Sequence, residues 1–247
     1  EGSVNIENID LWGKRTILSN IVQGQILDII LYLGLCSGAG WATRLDNKQV
    51  VLLGIEKIIE LEWCDKDTMY ALISHEIGHI WHMSAGGRFH CRKTQKEKAV
   101  FQLYSEGVAM WCEQKLCGDD GFYHGHKKDW LVWCKENIMG IKHEYFRRVQ
   151  NNISVQDFFG DWCNYKGYSD VGYYLGCRFV RFLLSKYDLY QMVSLNNDIL
   201  FDEFILFQKS SLRQPKALNT FFISCMYFST LSGKPTPTPA FFIAQAM

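Results

Sequence analysis

The chain has 247 residues, which is enough to bury a sizeable core in one domain. Its 26 lysines and arginines balance its 26 aspartates and glutamates, so no net charge favours binding to nucleic acid or to an anionic membrane surface. The longest apolar run, residues 26–35, is interrupted by Asp28 and is too short to span a bilayer. We therefore expect neither a nucleic acid nor a membrane as partner.

The cysteines argue for a reducing compartment. There are nine of them, an odd number, and none forms a C-x-x-C pair, so a zinc ribbon or a thioredoxin-type motif has no support. Several lie in apolar helical segments, which predicts reduced, buried thiols and a cytoplasmic protein. Because the chain opens with Glu1 and not with methionine, the sequence leaves open a leader that has been removed.

The first quarter of the chain predicts one helix and a small sheet. Residues 16–34 fit a helix, and the glycines and the Asp46–Asn47 pair that follow indicate turns. Residues 49–55 are apolar and β-branched, as in a strand. Residues 58–61 either extend that strand or form a second one.

The most informative segment follows the predicted sheet. Residues 67–83 have the apolar spacing of a helix with one buried face, with Asp67 or Thr68 as a cap, and they contain the motif H-E-x-x-H as His75, Glu76 and His79. Histidines four residues apart lie on one face of a helix, where both can bind one Zn²⁺. Such an ion acidifies a water molecule, and Glu76 is placed to take the proton. The alternative is a pair of ordinary histidines on an amphipathic helix.

A catalytic zinc site needs a third protein ligand and one open position. We expect Glu106 to be that ligand, in a second predicted helix over residues 96–116. Gly107 and Ala109 beside it are small, so this helix could approach the first one closely. The alternative is a solvated glutamate or one paired with a nearby lysine.

The remaining chain predicts more helices and a different end. Residues 127–150 and 170–186 fit long helices, a short helix follows Ser154, and residues 188–209 fit one or two further helices. All four prolines lie after residue 214. We therefore predict one domain over residues 1–214 and a proline-containing tail over residues 215–247.

These motifs together resemble a known family. The blocks 73–80, 104–111 and 171–182 are similar to the gluzincins, zinc peptidases whose third ligand is a glutamate on a later helix, and in particular to the DUF2268-type predicted proteases and the minigluzincins. The resemblance implies an α+β, mostly helical, zincin-like fold in which a small sheet precedes the H-E-x-x-H helix and the C-terminal part is helical. The interval between His79 and Glu106 is longer than in thermolysin-type enzymes.

The resemblance also suggests a helper for the reaction. Tyr173 matches the tyrosine of the family's G-Y-x-x-G block, so it is expected to donate a hydrogen bond to the oxyanion of the intermediate. Tyr174 is the alternate, and both could equally be core residues. Four histidines outside the motif are further candidate donors: His90, His124, His126 and His143.

The sequence thus predicts a zinc metallopeptidase that binds one catalytic Zn²⁺ through His75, His79 and Glu106 and acts on a peptide or protein with Glu76 as general base. Mn²⁺ or Co²⁺ could occupy similar ligands. Three rival hypotheses stay open: a zinc hydrolase of a non-peptide amide or ester, a regulatory module with a structural metal, and a scaffold without metal. The oligomeric state is open as well.

Overall fold

The structure, a computed structural model, describes residues 3–5, 27–86 and 94–210, and it is α+β and mostly helical. The predicted 215–247 tail, the larger part of the predicted 16–34 helix and His90 lie outside these residues. Within them, no helix combines the length and the apolar character that crossing a membrane requires.

A four-stranded sheet forms the N-terminal part. Its strands are β1 (Ser3–Asn5), β2 (Asp28–Tyr32), β3 (Gly40–Leu45) and β4 (Lys48–Gly54), in the order β1-β2-β4-β3. β2 runs parallel to β4, whereas β1 and β3 each pair antiparallel with their neighbour. Among the described strands, β3 is therefore an edge strand.

Two predictions for this part of the chain were wrong. Residues 28–32, expected to be helical, form β2, because a short apolar run can be a buried strand as readily as a helix. Residues 58–61, expected to be strand, lie in and just after α1 (Ile55–Glu60). The predicted 49–55 strand is confirmed as β4. β3 was not predicted, because turns were expected only at the glycines and at the Asp46–Asn47 pair that bound it. The φ angles of Asp46 and Asn47 are 48° and 66°, and these residues form the β3–β4 turn.

Six helices follow α1 in the described chain. The two that carry the predicted motifs are α2 (Lys66–Ala85) and α3 (Gln95–Cys117). The others are α4 (Lys128–Gln150), α5 (Val171–Leu184), α6 (Leu189–Val193) and α7 (Asn197–Lys209), with a 3₁₀ turn at Gln156–Phe158 between α4 and α5. The predicted helices agree with these bounds to within two or three residues.

Local sequence fixes where the two motif helices begin. The Asp65 side chain accepts hydrogen bonds from the backbone N–H groups of Asp67 and Thr68, so the cap of α2 is Asp65 and not the predicted residues 67 or 68. Thr94 and Glu97 form a reciprocal capping box at the start of α3. Both caps satisfy N–H groups that a helix terminus leaves without partners.

α3 is the central helix, and glycines let its neighbours approach closely on two sides. A Cβ atom at Gly78 of α2 would lie 2.9 Å from the Cα atom of Ala109. On the other side, a Cβ at Gly107 would lie 2.3 Å from the carbonyl oxygen of Gly176 in α5. The close approach at Gly78 brings side chains of α2 and α3 near one another.

Candidate metal centre and cleft

α2 presents the H-E-x-x-H side chains as its sequence predicts. His75 and His79 are one helical turn apart on the same face, and their ring centroids are separated by 4.9 Å. His75 and Glu76 are buried, with 4% and 6% of their surface exposed. The side chain of His79 is partly open. One face of this buried helix therefore offers two imidazoles toward α3.

α3 brings Glu106 to those imidazoles. Its Oε2 atom lies 3.2 Å from Nε2 of His75 and 3.3 Å from Nε2 of His79. The three residues form one of two groups in the described chain whose donor atoms are close enough together to hold a metal ion. Glu106 thus contacts the two imidazoles and not a lysine, as one alternative had it.

The donor set fits Zn²⁺ in chemistry and in spacing. Two imidazole nitrogens and one carboxylate oxygen are ligands that zinc takes at about 2.0–2.1 Å, and tetrahedral geometry then separates neighbouring ligand atoms by roughly 3.4 Å. The measured 3.2 and 3.3 Å agree with this value. The donor set does not distinguish zinc from other divalent ions that accept the same ligands.

Hydrogen bonds and charges also link the same atoms to one another. Burial opposes a charge on His75, but its hydrogen bonds to Glu106 and Glu113 outweigh burial and raise the pKa of His75 to about 10. Burial would likewise raise the pKa of Glu106, yet His79 and His75 hold the pKa of that carboxyl far below its usual range. The Glu106 and Glu113 carboxylates thus favour positive charge on the neighbouring imidazoles.

A second carboxylate, which the sequence analysis missed, orients the first ligand. Glu113 has no exposed surface, and its Oε2 atom lies 3.2 Å from Nδ1 of His75 and 2.7 Å from Nδ1 of His124. Burial would raise the pKa of Glu113, but the imidazoles of His124 and His75 lower it. A carboxylate accepts, so Nδ1–H of His75 donates to Glu113 and leaves Nε2 for a metal. His75, Glu113 and His124 are the second group with metal-compatible spacing.

The signal for Glu113 was present in the sequence. It follows Glu106 by seven residues, which is close to two helical turns, so the two carboxylates lie on the same face of α3. Ser105 adds a weaker contact, because its Oγ atom lies 3.4 Å from Nδ1 of His79.

Glu76 follows His75 directly in α2 and belongs to neither metal-compatible group. It lines the same cleft as His75 and Glu106. An ideal Cβ at Gly40 would lie 2.6 Å from Oε1 of Glu76, so the carboxylate lies directly against the start of edge strand β3. A peptide segment that followed this edge of the sheet would therefore pass close to the Glu76 carboxylate.

Of the two predicted tyrosines, only Tyr173 reaches the cleft. Its ring lies 5.7 Å from that of His75, and burial together with the charge of Glu106 raises its pKa well above the usual value. Tyr174 points into the core, where its ring contacts Tyr123 and Trp130. The choice of Tyr173 over Tyr174 as the residue at the site agrees with this placement.

Two of the predicted histidines also line the cleft. His124 donates a hydrogen bond from Nδ1 to Glu113. His126 stacks on Trp130, with 4.1 Å between the ring centroids, and its Nε2 atom lies 3.4 Å from Asp170. His143, by contrast, is exposed on α4 and does not line the cleft. His124 and His126 therefore remain candidates to contact a ligand, and His143 does not.

The cleft has a volume of about 550 Å³ and two walls. One wall is the chain from residue 37 into β3, and the other is the segment around residues 156–162 that follows the 3₁₀ turn. Comparison of the chain with protein-family profiles, with curated proteins and with solved structures gave no match.

Proposed function

We propose that this protein is a zinc-dependent metallopeptidase with a zincin-like, gluzincin-type site, in which His75, His79 and Glu106 bind the metal. One observation carries the proposal: Nε2 of both histidines and Oε2 of Glu106 converge at 3.2 and 3.3 Å, the spacing of neighbouring ligands in a tetrahedral zinc site. The fourth position of such a site would face the cleft, which is what a catalytic metal requires and a structural one does not.

The metal, when bound, would supply Lewis acidity that lowers the pKa of water and polarises a carbonyl group. The side chains then divide the remaining work. The Glu76 carboxylate accepts the proton of the attacking water and delivers it to the leaving amine. The Tyr173 hydroxyl donates a hydrogen bond to the oxygen on which negative charge develops.

The edge strand supports a peptide as the substrate. β3 pairs on one side only among the described strands, and its first residue, Gly40, lies against Glu76. An extended peptide that adds to this edge by backbone hydrogen bonds would pass the base and the metal ligands. A small amide or ester has no use for a strand edge, so we place non-peptide hydrolysis second.

The test compares the parent protein with Glu76→Gln. We expect protein purified without chelator to hold about one zinc per chain, and we expect the variant to keep the metal but to lose hydrolysis of a peptide library at least about 100-fold. Glu136→Gln, which changes an exposed glutamate on α4, serves as the matched control and should behave like the parent. Equal peptide cleavage by parent and Glu76→Gln would contradict the proposed mechanism.

The same measurements separate the rivals. A protein that binds zinc but cleaves only small amides or esters would be a non-peptide hydrolase. Zinc without any hydrolysis would favour a regulatory module, and failure to bind zinc even when the metal is added would favour a scaffold.

A further inference from the structure

Three tryptophans line the cleft, and each indole lies close against a glycine. Ideal Cβ atoms at Gly38, Gly125 and Gly160 would lie 2.7, 2.4 and 2.6 Å from the rings of Trp41, Trp63 and Trp162, respectively. No side chain larger than hydrogen fits under these rings. The glycines therefore leave the room that the three indoles occupy.

The three tryptophan side chains differ in how much of their surface is exposed. Trp63 is partly buried, and the edge of its ring contacts the ring of His124 with 4.9 Å between centroids. Trp63 thus packs against a residue of the cleft. Trp41 and Trp162 are 47% and 66% exposed. About half of Trp41 and about two thirds of Trp162 are thus open to solvent, and the two residues lie on opposite walls of the cleft.

The wall that carries Trp162 is held in place from two directions. The Asp161 carboxylate lies 2.7 Å from the amino group of Lys57 in α1, which reaches across from the sheet side of the cleft. The backbone N–H of Gly160, whose φ is +100°, donates to Asp170 at 2.7 Å. An exposed indole on a fixed segment is a preorganised contact surface, because little freedom remains to be lost on binding.

The charged groups near this wall already have partners within the protein. Lys57 is paired with Asp161 and with Glu60, and Asp170 faces His126. A charged substrate side chain would have to displace one of these pairs. An apolar side chain, by contrast, could contact the exposed indoles on the two walls without displacing an ion pair.

We propose that Trp41 and Trp162 are specificity-determining residues that bind apolar side chains, aromatic or long aliphatic, on an extended peptide lying across the metal site. This inference rests on the proposed function and names its substrate class. Trp41 belongs to edge strand β3, so a peptide that pairs with this edge brings its side chains alongside the indole. Sugars also stack on indoles, but the adjacent strand edge favours a peptide.

Equilibrium binding tests the inference without requiring hydrolysis. The metal-loaded Glu76→Gln protein is titrated into fluorescent ten-residue peptides that differ only at one central position, which holds Phe, Leu, Ala, Lys or Asp. We expect the Phe and Leu peptides to bind about tenfold more tightly than the others. In that background, Trp41→Ala and Trp162→Ala should each remove most of this preference, whereas Trp162→Phe should restore it.

The controls keep folding and function apart. Tyr190→Ala removes an exposed aromatic side chain that does not line the cleft, so the preference should survive. Thermal melting checks that each variant is folded, and the Phe substitution tests the aromatic surface even if an Ala variant is unstable. A preference that persists in a Trp41→Ala/Trp162→Ala double variant, a preference for Lys or Asp, or stronger binding of a neutral oligosaccharide than of every peptide would overturn the inference.

The outcomes also distinguish this inference from the proposed function. If the parent cleaves none of the peptides but binds them with tryptophan-dependent preference, the peptidase proposal fails and the apolar peptide site stands. If the parent cleaves all of them equally and binding shows no preference, the peptidase proposal stands and the role of the tryptophans is wrong.

Discussion

The buried carboxylate of Glu113 accepts two hydrogen bonds from His124, one from the backbone N–H at 3.1 Å and one from Nδ1 at 2.7 Å. The same carboxylate accepts from Nδ1 of His75. One side chain of α3 thus fixes both a proposed metal ligand and the loop that follows the helix. Its three donors need a carboxylate, since a single amide oxygen cannot serve them all.

Glu113→Gln should therefore weaken metal binding without removing a ligand. The amide offers one acceptor and introduces N–H donors that face the imidazole N–H groups, so His75 loses its fixed orientation. We expect the zinc dissociation constant to rise about 10- to 100-fold, the range for loss of an orienting partner. Competition with a chromogenic chelator measures it, and Glu136→Gln is the control. An unchanged constant would mean that Glu113 has no part in metal binding.

Metal binding should release a proton from His75. Because its pKa is raised to about 10 in the metal-free protein, His75 carries a proton at pH 7, and coordination through Nε2 requires the neutral ring. We expect about one proton from this residue per metal bound at pH 7, and none once the pH is well above 10. Proton competition thus weakens metal binding as the pH falls.

Calorimetry in buffers of different ionisation enthalpy counts the released protons. Glu113→Gln removes one of the two carboxylates that raise the pKa of His75, so release at pH 8–9 should be smaller in this variant. Metal binding by the parent at pH 7 with no proton release would show that His75 is neutral at that pH and that its pKa is not raised.

The contact between Gly107 and Gly176 should make an alanine costly in a helix. Alanine raises intrinsic helix stability by about 1 kcal/mol over glycine, but a Cβ at residue 107 would lie 2.3 Å from a backbone oxygen of α5. The helices would have to separate, so we expect Gly107→Ala to lower the free energy of unfolding by about 1–3 kcal/mol.

Gly140 provides the matched control for this substitution. It lies inside α4, and a Cβ there would meet nothing within 4 Å. Gly140→Ala should therefore stabilise the protein by up to about 1 kcal/mol. Urea denaturation measures both variants, and a Gly107→Ala protein as stable as Gly140→Ala would show that the helices adjust without cost.

Sequence patterns predicted the long helices well and the sheet only in part. α2, α3 and α4 have many turns over which a buried face repeats, whereas a strand of five residues such as β2 contains too few positions to show its period. α1 was mistaken for strand because its isoleucines are β-branched. β3 was missed because it becomes a strand by pairing with β4, and its own sequence shows mainly the turn residues at its two ends.

The three proposed ligands could be predicted from the sequence, but Glu113, which orients one of them, could not. The H-E-x-x-H spacing is fixed by one helix, and the small residues around Glu106 indicated close packing. The seven-residue spacing from Glu106 places Glu113 on the same face of α3, but the sequence does not distinguish it from a solvated glutamate, and only the packing of the helices shows that it has no exposed surface. The location of His124 depends on a loop, which has no periodicity to read.

Tyr173 and Tyr174 are adjacent, and their different surroundings allow a sharp test of catalysis. The Tyr173 ring lies at the cleft beside His75, while the Tyr174 ring packs against Trp130 in the core. If the Tyr173 hydroxyl donates to the developing oxyanion, Tyr173→Phe should lower kcat about 100-fold or more, with little change in KM or in zinc content. Tyr174→Phe should leave kcat within about threefold of the parent, because its hydroxyl cannot reach the substrate. A Tyr173→Phe protein with unchanged kcat would transfer the donor role to the remaining cleft candidates, of which His124, held by Glu113, is the first to replace.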